Sequence, residues 1–211
     1  MLSMQEEYYL FKKYGHTYKF LQYSNAEYDC GSITVATMFT MPMPVLIDIY
    51  KQHYKVAPKS FMDCGAGIGY MVRWAKIMGL DACGIENHKY PHIDSIYKRF
   101  FNNGRIKISD LLDVEPFTQD LAYANCSLTY LAEKDIDAAI SKFKNVKMLV
   151  AIHTTTEDVT AAQNLGMKLD IDFQTRLLRS NDWWLNRFHK NGFDATFNEK
   201  HRCFCVVPKT R

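Results

Sequence analysis

The stretch Ser60 to Asn87, S-F-M-D-C-G-A-G-I-G-Y-M-V-R-W-A-K-I-M-G-L-D-A-C-G-I-E-N, decides the fold. It reads as a short apolar strand, a turn with glycine at every second position (Gly65, Gly67, Gly69), an amphipathic helix, and a second strand ending in Glu86. Glycine suits such a turn because a side chain would keep the backbone from turning tightly and from approaching a ligand closely. Spacing then narrows the ligand. The dinucleotide fingerprint needs its third glycine three residues after the second, and position 70 is Tyr, which disfavours NAD and FAD. A phosphate-cradling loop closes on Lys followed by Ser or Thr, whereas this one runs into Tyr70, Met71 and Val72, which disfavours a nucleoside triphosphate. What remains is a nucleoside-bearing ligand without a pyrophosphate.

Working outward, Pro42 and Pro44 lead into a helix with Leu46, Ile49, Tyr50 and His53 at helical spacing, closed by Pro58. After the glycine turn, Met71, Trp74, Ala75 and Met78 form one apolar stripe, with Gly79 where a C-cap glycine belongs. A-C-G-I-E is the second strand. Pro91 opens a helix carrying Ile93, Ile96, Tyr97, Phe100 and Phe101, ended by Gly104. R-I-K-I-S reads as a third strand, Q-D-L-A-Y-A-N as a fourth ending at Asn125, and V-K-M-L-V-A-I as a fifth ending at His153, with a helix around Ile136 to Phe143 between the last two. Repeated strand, helix, strand order argues for a parallel sheet with right-handed crossovers. From Thr154 to Arg179 the periodicity fades. Ser180 or Asn181 then caps a helix with Trp183, Trp184 and Phe188, and F-D-A-T-F-N and H-R-C-F-C-V-V close the chain as a hairpin turned by Glu199 and Lys200.

Length and composition bound the answer. A chain of 211 residues with 47% hydrophobic side chains fits one domain with a filled core, residues 1–211. The 26 basic and 23 acidic side chains leave a net charge of +3 without a run of like charges, so a nucleic-acid partner is the weaker expectation. The start M-L-S-M-Q-E-E-Y-Y-L lacks the pattern of a signal peptide, and no apolar run approaches the ~20 residues of a membrane span, so the expectation is a cytoplasmic protein with no membrane partner. Six cysteines show neither a C-x-x-C pair nor a dense framework, which reads as reduced buried thiols. Cys203 and Cys205 share one face of a strand, and no metal is expected there.

D-x-G-x-G-x-G on strand one, with an acid ending strand two, resembles the class I S-adenosylmethionine-dependent methyltransferases, and the resemblance runs from about Ser60 to Val207. It implies a Rossmann-like α/β three-layer sandwich: a mostly parallel seven-stranded sheet with an antiparallel C-terminal hairpin. It also implies S-adenosyl-L-methionine as cofactor, a transferase activity, and a segment before strand one, residues 1–45, that caps the pocket. The tyrosines there (Tyr8, Tyr9, Tyr14, Tyr18, Tyr23, Tyr28) serve equally well as packing on the outside of the sheet. Residues 154–180 would form an insertion on the substrate side.

In an open parallel sheet the ligand lies beyond the carboxyl ends of the strands where strand order reverses, and the candidates fall at such ends. Gly65, Ala66, Gly67 and Gly69 would admit the methionine and ribose portion against bare backbone. Asp63 would anchor the turn or receive the ammonium group through water. Glu86 offers two acceptor oxygens to the ribose hydroxyls, with Asn87 beside it. Asp110, by the resemblance, accepts from the adenine amino group while the N–H of Leu111 meets a ring nitrogen; alternatively Asp110 caps a turn. Asn125 would lie near the transferred methyl or be a buried, satisfied amide.

Methyl transfer asks mainly for orientation of the acceptor and exclusion of water. Where a hydroxyl or protonated amine is methylated a base is needed, and His153 is the best-placed candidate catalytic residue, its alternative being a hydrogen-bonded histidine at a strand end. Thr129 and Tyr130 are further pocket residues. The position after strand four reads Asn125-Cys126-Ser127-Leu128, without the Pro-Pro-aromatic of amino-methylating DNA enzymes or the Pro-Cys of cytosine-ring methylases. The run through G-I-E and Y-A-N is similar to the non-SET histone-lysine methyltransferases, but their upstream Tyr-Gly-Glu element is missing from residues 1–59. A small-molecule acceptor is therefore the leading expectation, ahead of a protein-lysine acceptor and of a non-catalytic protein that binds S-adenosylmethionine or S-adenosylhomocysteine.

Overall fold

The computed structural model describes residues 41–67, 69–87, 104–165 and 177–209. The expected cap (1–45) therefore lies outside it except for its last five residues, and the helix expected after Pro91 lies outside it as well. In chain order the described elements are α1 (Met43–Tyr54), β1 (Ser60–Cys64), α2 (Tyr70–Ile77), β2 (Asp81–Glu86), β3 (Ile106–Ile108), β4 (Leu121–Asn125), α3 (Ile136–Ser141), β5 (Met148–Ile152), α4 (Thr156–Asn164), α5 (Asn181–Lys190), β6 (Phe193–Asn198) and β7 (Cys203–Pro208). Short 3-10 turns come after β3 (Leu111–Asp113) and β4 (Ser127–Tyr130).

The seven strands form one sheet in the order β3-β2-β1-β4-β5-β7-β6. β1 to β5 are parallel, and β7 runs antiparallel to both β5 and β6. Buried parallel strands have to be apolar on both faces, and apart from the buried Asp63 the runs F-M-D-C, L-A-Y-A and M-L-V-A meet that demand with residues almost wholly inside. One face carries Phe61, Tyr123 and Val150 against α1 and α2. The other carries Met62, Leu149 and Phe204 against α3 and α5. This is the seven-stranded sandwich with a closing hairpin that the sequence implied.

Ligand-side geometry comes from the topology. β1 pairs with β2 on one side and β4 on the other, so strand order reverses at β1 and a crevice opens beyond its carboxyl end. α1 starts at that edge. Its last residue, Tyr54, donates its hydroxyl to Lys147 O at the amino edge (2.5 Å), while Met41 N, just before its start, donates to the buried Tyr123 hydroxyl (3.1 Å).

The segment after β5, whose periodicity fades, holds helix α4. Thr155 caps it with a capping box: its hydroxyl accepts from Asp158 N, and the Asp158 carboxylate accepts from Thr155 N (2.9 Å). Asp158 also pairs with Arg202 in the hairpin turn, and Glu157 accepts from Asn181 N at the start of α5. Three connections at the carboxyl edge are thereby tied to one another.

Candidate functional site

The glycine turn closes on the strand beside it. Gly65 N and Ala66 N both donate to Ile85 O (3.0 and 2.8 Å), and Gly69 N donates to Ala66 O (2.8 Å) before α2 begins. Gly65 has φ 80°, a left-handed conformation that side-chain-bearing residues rarely adopt. A Cβ there would also lie 2.7 Å from Ser127 Cβ. The room that glycine provides at position 65 is thus taken up by the turn after β4, which seats Asn125-Cys126-Ser127 directly on the glycine loop.

Gly84, in the middle of β2, does the corresponding work on the other side. A Cβ at this position would meet Ala66 Cβ at 2.7 Å, Val72 Cγ2 at 3.0 Å and Asp63 O at 3.1 Å. In dinucleotide sites the third glycine of the turn allows helix and strand to pack closely. Here a glycine in the facing strand allows the close approach of the loop and of Val72 on α2.

Two carboxylates meet at this crevice. Glu86, 7% exposed, accepts from Gly67 N (2.7 Å), so the acid ending β2 holds the glycine loop by its backbone. Asp63, 4% exposed, lies near the end of β1 alongside it. Burial, and next the charge of Glu86, push the Asp63 carboxyl well above the usual carboxylate range. Among the described residues no hydrogen bond reaches it to offset this. A cationic ligand group beside Asp63 would reverse the push, and Asp63 is thus suited to a ligand's ammonium group.

The remaining candidates are spread along the same edge. Asn87 is exposed, next to Glu86. Asp110 comes after β3, and its Oδ1 accepts from Leu112 N (2.8 Å), capping the 3-10 turn, while Leu111 is buried. Asn125 pairs with Ile152 across β4 and β5. Cys126 adopts φ 56° and donates its N–H to Ile152 O (2.8 Å), and Thr129, 1% exposed, returns its hydroxyl to Cys126 O (2.6 Å).

His153 sits one residue past β5, on the α3 and α5 side. Its ring lies 4.0 Å from that of Trp184 and 5.4 Å from that of Phe204, centroid to centroid. Burial lowers its pKa to about 3, so it is an uncharged imidazole at neutral pH and a weak base. The structure thus brings Asp63, the glycine loop, Glu86 and the turn after Asn125 together, and sets His153 in an aromatic stack two strands away from β1.

Sequence reasoning passes over Ser127, Gly84 and Trp184 as residues of the site. Gly84 carries a signal, since a glycine inside an apolar strand marks a close approach of backbone. Ser127 carries none, because its contact is with a residue far away in the chain. Among the described residues no group of three or more His, Cys, Asp or Glu is placed to hold a metal ion, and no helix is long and apolar enough to cross a membrane.

No protein-family model matches the sequence, and no curated protein matches it. Solved structures do. The sugar N-methyltransferase KedS8 of Streptoalloteichus sp. is 12% identical with a TM-score of 0.61, the match covering 92% of this chain and 93% of that one. The 1,6-didemethyltoxoflavin-N1-methyltransferase of Burkholderia thailandensis, bound to 1,6-didemethyltoxoflavin and S-adenosylhomocysteine, is 12% identical with a TM-score of 0.54, covering 98% and 89%. Human N-acetylserotonin methyltransferase, in complex with S-adenosylmethionine, is 14% identical with a TM-score of 0.56; the match covers 83% of this chain and 53% of that longer one. At these identities the likeness is one of fold: the chain has the seven-stranded, mostly parallel sheet with an antiparallel closing hairpin of the class I S-adenosylmethionine-dependent methyltransferase fold.

Proposed function

We propose that this chain, as a single domain of residues 1–211, is an S-adenosylmethionine-dependent methyltransferase acting on a small molecule. The observation that carries the reading is the pair Asp63 and Glu86 at the strand-order reversal, one carboxylate tied to the glycine loop and the other buried beside it without a donor among the described residues. Such a site asks for a ligand that brings a cation and hydroxyl groups, and S-adenosylmethionine has both. Asp63 receives its ammonium group. Glu86 takes the ribose hydroxyls while keeping Gly67, with Asn87 at the rim. Gly65, Ala66, Gly67 and Gly69 line the methionine and ribose portion, Asp110 and the Leu111 N–H hold adenine, and Asn125 lies beside the methionine end.

When bound, the cofactor supplies an electrophilic methyl group on a sulfonium. The chain's contribution is orientation and exclusion of water, which suits a reaction that loses charge as it proceeds. Residues 1–45 serve as the cap and 154–180 as the acceptor-side segment. His153, neutral and weakly basic, accepts a hydrogen bond from the acceptor's X–H, and the proton displaced on methylation leaves with the product to solvent rather than resting on the imidazole. A small acceptor is supported by the neighbours whose names specify one, a sugar and didemethyltoxoflavin, each said of those proteins.

Titration calorimetry tests the reading. S-adenosylmethionine and S-adenosylhomocysteine should bind and NAD should not. Tight NAD binding with no response to the methyl donor would overturn it.

A further inference from the structure

The carboxyl end of β5 holds polar atoms that cofactor binding leaves unused. Among the described residues Trp184 heads the fully buried side chains by size, and its indole N–H has no hydrogen-bond acceptor. His153, 4% exposed, is stacked on it at 30° between planes, and among the described residues neither Nδ1 nor Nε2 makes a hydrogen bond of good geometry, although the Ile152 backbone lies close enough to act on the ring. A neutral imidazole carries one N–H and one lone pair. The stack therefore presents two donors and one acceptor, all buried and, among the described residues, none in a well-formed hydrogen bond.

Buried polar atoms are nearly always paired, and a buried indole N–H usually finds an acceptor. Phenylalanine or leucine at these positions would fill the same space without the penalty. Among the described residues burial and the Ile152 backbone are what act on the imidazole, and its ring neighbours Trp184 and Phe204 are uncharged. An ammonium group brought here would find no counter-charge, whereas a neutral hydroxyl, carbonyl or amide would find both a donor and an acceptor. Placement agrees with this. Ile152 pairs with Asn125 and accepts from Cys126 N, so His153 is the next residue beyond the strand end that faces the proposed methionine site.

We propose that His153 and Trp184 together bind the methyl acceptor through an uncharged hydroxyl, carbonyl or amide group, which selects a neutral aromatic or amide-bearing molecule over a lysine side chain. This rests on the methyltransferase reading. The three atoms are shielded from solvent, so a ligand reaches them only as the packing around the stack opens.

The test is side-chain nitrogen NMR on the full chain saturated with S-adenosylhomocysteine, titrated separately with phenol, N-methylacetamide and methylammonium. The His153 ring nitrogens and the Trp184 indole should shift saturably with phenol or N-methylacetamide and stay put with methylammonium. His153→Phe, which keeps the ring and removes both nitrogens, should lose the Trp184 response while S-adenosylhomocysteine binding persists; His153→Gln, which restores a donor and an acceptor, should recover part of it. Overturning results are S-adenosylhomocysteine binding with neither neutral probe moving these resonances, methylammonium moving them as strongly, or an undiminished Trp184 response in His153→Phe. Absence of S-adenosylhomocysteine binding would instead remove the methyltransferase reading itself.

Discussion

Replacing Gly84 by alanine tests how the glycine loop is held. The added Cβ would come within 2.7 Å of Ala66 Cβ, 3.0 Å of Val72 Cγ2 and 3.1 Å of Asp63 O, and only the valine methyl can turn away. The other two atoms belong to the loop and to β1, so relief requires β2 and the glycine loop to separate. Overpacking of this kind costs about 1–3 kcal/mol. For a domain of this size that is a fall in Tm of about 2–12 °C. The same separation pulls Gly67 N from Glu86 Oε2, now 2.7 Å apart, so S-adenosylmethionine affinity should fall along with stability. Urea denaturation gives the first quantity, as a lower midpoint at unchanged slope, and calorimetry gives the second. The double variant Ala66→Gly with Gly84→Ala removes the shortest contact and should show a favourable coupling of at least ~0.5 kcal/mol. A Gly84→Ala protein as stable as the parent, with unaltered cofactor affinity, would refute the packing argument.

Three further outcomes concern the carboxylates of the site. Glu86→Ala should weaken S-adenosylmethionine binding by roughly 1.5–3 kcal/mol, the scale of hydrogen bonds to a charged group, and an unchanged dissociation constant would take Glu86 out of the site. Asp63→Asn should leave the cofactor-free protein more stable than the parent at pH 8. Because the folded carboxyl is raised, its contribution is fully present below the unfolded value of about 3.9 and is lost as pH rises through the folded value, so the gap between the two proteins should close on acidification; Tm measured from pH 4 to pH 8 checks this, and a parent as stable as Asp63→Asn at pH 8 contradicts it. Asp110→Ser keeps a side-chain oxygen for Leu112 N and should fold with near-parental stability yet bind S-adenosylmethionine more weakly; equal binding would reduce Asp110 to a cap.

Most of the sheet was legible because its strands are buried on both faces. Phe61–Cys64, Leu121–Ala124 and Met148–Ala151 are apolar runs that few other elements accommodate, and the glycine turn after the first of them commits the chain to a helix and a parallel return strand. Helix α4 was legible only as a long connection that would be functional or partly helical, without its bounds. Ala162 is its one buried residue, so its apolar periodicity is weak, and its capping box uses Asp158 where Glu or Gln is the familiar signal. Within the site, spacing pointed to Asp63, Gly67 and Glu86, which the structure places together, but it could not show that the empty side of Gly65 is filled by Ser127 or that His153 lies on Trp184. Those contacts join residues whose separation in the chain encodes nothing about their meeting.

The hydrogen bond from Met41 N to the Tyr123 hydroxyl has an evolutionary side. It fastens the entry of the chain to the central strand at the ligand edge, upstream of every element of the sheet. With Tyr54 held by Lys147 O at its other end, α1 is fastened to the sheet at both ends, so its packing face and the strands beneath it are linked. In evolution a change at Tyr123 would therefore be felt in two elements at once, the central strand and the helix laid across it, so that the two are constrained to vary together.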